Sequence, residues 1–61
     1  MLKKINVVNV TDRLPKENGD YYVIAYDPND KDEPFWIEDE AEFWNGEWYE
    51  NYKIIAWIEE V

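Results

Sequence analysis

Carboxylates are the only abundant chemically capable side chains in this 61-residue chain, which holds 15 Asp and Glu but neither histidine nor cysteine. Paired carboxylates can act as acid and base in glycoside cleavage, and clustered oxygens can hold Mg²⁺ or Ca²⁺. The richest cluster is Asp27, Asn29, Asp30, Asp32 and Glu33. An EF-hand loop alternates its oxygen ligands and needs Gly at the sixth place, whereas Lys31 and Asp32 stand fifth and sixth from Asp27. The expected reading is a solvated loop without a metal. Catalysis is no better served, because so small a sheet offers no deep pocket to separate two carboxyl pKa values. Lacking Cys and His, the chain has no thiolate nucleophile, soft metal site or imidazole base. No catalytic residue, cofactor or metal is expected.

Two other groupings could bind. Asp12-Arg13-Leu14-Pro15 offers Arg13 as a bidentate grip for an anion. The same four residues also make a folding signature, in which Asp12 accepts turn N–H groups, Arg13 pairs with a carboxylate, Leu14 plugs the core and Pro15 stops a strand. Four Trp, five Tyr and two Phe could form a stacking platform for bases. Single-strand binders, however, set such rings in a positive groove, and six Lys and Arg against 15 acids leave this chain at −9. Direct nucleic-acid binding is not expected.

The elements that must carry these residues read as strands. A chain this short is one domain, residues 1–61, and it buries only about 60% of its unfolded surface. Its aromatic content argues for a folded core in spite of the charge. Self-association, first of all into a dimer, is the expected reinforcement. Residues 5–10 suit a first strand, and residues 11–20 form a connection in which Asn18-Gly19 supplies a turn. The uninterrupted apolar run of residues 21–26 predicts a central strand covered on both faces. A proline-bracketed loop spans 27–34, and residues 35–37 start a strand that Glu38-Asp39-Glu40 interrupts.

Alternating runs then flank Asn45-Gly46, the strongest hairpin signal in the chain. That register puts Ala41, Phe43 and Trp48 on a core face, and Glu42, Trp44, Glu47 and Tyr49 on an acidic outer face. Residues 53–58 read as a closing strand. The expected fold is all-β or β-rich, a four- to five-stranded antiparallel meander with room for one short helical turn near Leu14. No apolar run approaches a membrane span, and Met1-Leu2-Lys3-Lys4 does not open a signal peptide. The expected location is cytoplasmic.

The segments Val8 to Pro15 with its Asp-Arg-Leu-Pro, Tyr22 to Tyr26, Ala41-Glu42-Phe43 with Asn45-Gly46-Glu47-Trp48, and Ile54 to Ile58 with Trp57 resemble a family of short Eaa-like phage and prophage proteins. The resemblance covers nearly the whole chain. Val7 stands where that family usually has Trp, Ala56 where it has His, and its Pro-rich tail after Trp57 has no counterpart here. The family has no known function, so the resemblance implies a phage-type accessory protein of a bacterial host cell and no particular chemistry.

The charge is clustered: residues 27–50 hold ten acids and one lysine, which sums to −9, and the remainder of the chain is neutral. Such clustering costs like-charge repulsion between neighbouring strands. It reads either as a solvated, edge-protecting face or as a binding surface. On the binding reading, Trp44, Tyr49 and Trp36 are the exposed anchors and Glu42, Glu47 and Glu50 the charges, facing a basic surface of a host protein that is modulated or inhibited. Nucleic-acid mimicry is its sharper form, although carboxylates at about 6.8 Å along one strand face are sparser than the phosphates of duplex DNA. The alternatives are an oligomer that sequesters a nucleotide-type ligand, with Arg13 or a lysine on the anion, and a structural or assembly protein.

Overall fold

The structure is a computed structural model that describes residues 4–60. Met1–Lys3 and Val61, which include most of the amino-terminal stretch weighed above as a signal peptide, lie outside the described residues. Five strands form one antiparallel sheet: β1 Ile5–Asn9, β2 Gly19–Tyr26, β3 Phe35–Trp44, β4 Glu47–Trp48 and β5 Lys53–Glu60. Their spatial order is β1-β5-β2-β3-β4. The all-β, five-stranded antiparallel expectation holds. β2, β3 and β4 follow one another as a meander, while β5 returns to lie between β1 and β2, which puts the apolar run of β2 at the centre.

Side chains directly opposite each other on antiparallel strands share a face, so the register sorts the chain into two surfaces. One carries the pairs Val8 with Trp57, Val23 with Trp57, Ala25 with Ile54, Tyr21 with Ala41, and Phe43 with Trp48. Most of the buried core lies here, with Val8, Val23, Ala41, Ile54 and Trp57 in mutual contact and Val10, Tyr21, Trp48 and Tyr52 packed around them. The other surface carries Val7 with Ile58, Ile24 with Ala56 and Ile37, Tyr26 with Phe35, and Trp44 with Glu47.

The connection from β1 to β2 covers the first surface. It contains one isolated turn with helical hydrogen bonding, in which Asp12 and Arg13 both donate their N–H to the Asn9 carbonyl; the turn is not continued, and no helix occurs among the described residues. The acceptor role foreseen for Asp12 thus falls to the Asn9 carbonyl, and Asp12 is a donor in the turn. Trp57 anchors the connection, donating its indole N–H to the Arg13 carbonyl at 3.0 Å, with the Arg13 guanidinium 5.4 Å from the ring centre. Leu14 does not plug the core; it is 41% exposed, and the buried neighbour is Pro15. Proline leaves no N–H to satisfy and needs no partner there.

Three other expectations change. Val10 lies just past the end of β1, and β5 runs on to Glu60. The three carboxylates at 38–40 do not interrupt β3: the strand continues through a bulge in which Glu40 takes a positive φ of 56°. The extra residue shifts the alternation, so Trp36 and Glu38 precede Ala41 and Phe43 on the core side. Finally, β2 is not covered on both faces, since Tyr22 is 55% exposed.

Candidate functional site

The hairpin forms as its turn chemistry dictates. Asn45 and Gly46 adopt φ of 49° and 84°, the two positive values of a type I′ turn, and Phe43 pairs with Trp48 and Trp44 with Glu47. The ladder extends one step, as Tyr49 donates its N–H to the Glu42 carbonyl at 2.9 Å. Beyond that, the strand gives way to a side chain: Glu50 accepts the Glu42 N–H on its carboxylate at 2.8 Å. A second tether comes from far along the chain, with Asn18 accepting the Asn45 N–H on its side-chain oxygen at 2.9 Å. Local patterning gave Asn18 only a turn role; its long-range bond to the hairpin tip had no signature in the sequence.

The core side of the hairpin is aromatic and packed. Phe43 and Trp48 meet edge to face at 4.8 Å, and Tyr21 meets both at 6.4 and 6.1 Å. This cluster backs the outer side of the hairpin. There, Trp44 and Tyr49 stand 50% and 52% exposed and, with Glu42, line a shallow groove of about 360 Å³. The Tyr49 hydroxyl donates to Glu47 at 3.3 Å, which draws the fourth residue of the predicted face to the same spot.

The two remaining candidates divide from this group. Glu50 is engaged in holding the Glu42 backbone. Trp36 lies on the opposite surface because of the bulge; it donates to Glu38 at 2.8 Å and packs edge-on to Tyr52 at 5.8 Å. Tyr52 in turn sits among acids. Burial, followed by Glu50, Glu38 and Asp39, pushes its hydroxyl up to about 12.

Arg13 is committed elsewhere. Its guanidinium donates twice to Glu59, at 2.9 and 2.6 Å. These bonds, then that from Asn6 to the same carboxylate, hold Glu59 down to about 2. A cleft of about 520 Å³ opens beside the pair, where the sheet divides: β2 and β5 pair only over Val23–Tyr26 and Lys53–Trp57. Arg13 and Lys16 share its lining with Glu17, Asp20, Glu59 and Glu60. Four carboxylates against two cations make it a poor receptor for an anion. In the 27–34 loop, Asp27 accepts the Asn29 N–H, and Asp30 accepts those of Asp32 and Glu33. The clustered oxygens thus serve Asx turns, and no group of three or more acids among the described residues is arranged to hold a metal. No helix of the described residues is long and apolar enough to cross a membrane.

No family model matches the chain, and neither the curated proteins nor the solved structures contain a match.

Proposed function

We propose that this chain is a small binding protein that modulates or inhibits a host protein, in the manner of a phage-type accessory protein acting in the bacterial cytoplasm. The observation that carries the reading is the groove of Trp44, Tyr49 and Glu42, with Glu47 hydrogen-bonded at its margin. Half-exposed Trp and Tyr are the residue types that dominate interface energies, because they bury large, rigid surface at low entropic cost. Carboxylates beside them favour an Arg or Lys entering between the rings, where cation–π attraction and ion pairing act together. Two tethers and an aromatic core hold this geometry before binding, so little ordering entropy opposes association.

The test is the affinity for a host partner captured by the protein, measured across salt concentration. Trp44→Ala is expected to weaken binding by about tenfold or more, at the scale of an interface anchor. Glu42→Lys with Glu47→Lys should slow association, and added salt should do the same. A complex indifferent to salt and to these charge reversals would remove the proposal.

A further inference from the structure

We infer that the open surface of the sheet is the interface of a homodimer, in which two copies stack face to face as the halves of a β-sandwich. Seven of the eight large apolar side chains exposed among the described residues fall on this one surface, the exception being Leu14. They are not scattered. Val7 and Ile58 on β1 and β5, Tyr22 and Ile24 on β2, and Ile37 on β3 form a band across four strands, with Ile37 72% and Val7 56% exposed. A sheet normally buries its apolar face against a second layer. The loop over Trp57 supplies that layer on one side only.

Size and chemistry favour a second copy as the occupant. An eight-residue strand is about 27 Å long, and the four strands of the band span about 19 Å. The resulting plane of roughly 500 Å², before side-chain relief, approaches the ~800 Å² that each partner gives to a stable interface. The band carries a single acid at its margin, Asp39, two residues beyond Ile37 on β3 and level with Tyr22. On this surface the carboxylates Asp20, Glu42, Glu47 and Glu60 collect at one end of the strands, where β2 begins and β3 and β5 finish. A twofold axis running across the strands would bring band onto band while sending those carboxylates to opposite ends. Each copy still carries −9, so screening should strengthen the dimer, opposite to the salt response proposed for a basic host partner. The hairpin groove lies beyond the bulge, outside the band, and this inference does not depend on its proposed use.

Sedimentation equilibrium over a range of protein and salt concentrations tests the dimer. The expected result is a species of twice 7.5 kDa that tightens with salt, with Ile37→Lys and Val7→Lys each weakening it by about tenfold or more. Lys lowers the net negative charge, so such a loss reports the apolar contact and not added repulsion. Circular dichroism checks that each variant monomer folds, as expected at positions this exposed. Leu14→Lys, on the other side of the molecule, should leave association unchanged. A chain that stays monomeric at millimolar concentration would overturn the inference, as would a dimer insensitive to both band substitutions. Either result leaves the Trp44 groove untouched, whereas loss of partner binding in Trp44→Ala with the dimer intact speaks only to the groove.

Discussion

Trp57 shows how one side chain can serve both the sheet and the loop above it. It is 3% exposed, meets Tyr21 edge to face at 5.6 Å and holds the Arg13 carbonyl through its indole N–H. Arg13 lies over the ring and reaches Glu59, so the ion pair reports whether the loop is seated. Glu59 is held at about 2, below its ordinary 4.5. A depressed carboxyl contributes stability that is complete above pH 4.5 and fades as pH falls toward 2. Glu59→Gln should therefore lower the melting temperature at pH 7, with the gap from the parent closing as the pH is taken from 4.5 to 2, read by circular dichroism. Asp12-Arg13-Leu14-Pro15 was legible as a folding signature, and the pairing of Arg13 with a carboxylate followed from its charge. The exchange of roles between Leu14 and Pro15 was not legible, because hydropathy ranks Leu first and says nothing about which backbone can be buried without an N–H.

At the scale of elements, the hairpin was the most legible part, since a two-residue Asn-Gly turn fixes both register and faces. Gly46 at φ 84° tests this dependence. Gly46→Ala should cost about 1 kcal/mol or more in chemical denaturation, the penalty for an L side chain in the left-handed region. Asn18→Ala removes the tether on Asn45 and should cost about 1 kcal/mol, with partner affinity falling further as the groove loosens. β3 was less legible. Three consecutive carboxylates look like a break, yet the strand absorbs them at its open edge, where charge discourages pairing with another sheet. Glu40 in the left-handed region also shifts the phase of the strand, which is why Trp36 and Trp44 face opposite ways although both lie at even positions. Period-two reasoning cannot cross a bulge it does not know about. The same limit applies to β2: an unbroken apolar run says that both faces are apolar, not that the same chain covers them both.

Over the whole molecule, the strand order separates charge. The acidic residues 27–50 occupy β3, β4 and the loop before them at one side of the sheet, and the neutral remainder builds β1, β5 and β2. Composition made the segregation visible; topology turned it into distance. The place of β5 was outside the reach of patterning, because an edge strand and an inserted strand have the same alternation when both lie over one core.

That insertion bears on how the chain comes to fold. β1 has no partner except β5, whose pairing joins residues as far apart as Ile5 and Glu60. During synthesis, then, the first strand must wait for the last, and the β2–β3–β4 hairpins can form earlier only as a fragment with one flank unpaired. Such long loops slow folding to the millisecond-to-second range typical of all-β domains. Stopped-flow refolding should show this slow phase, and a chain ending before Lys53 should show no cooperative melting transition; a truncated chain that still melts cooperatively would mean that β2, β3 and β4 fold without the strand that joins the two halves.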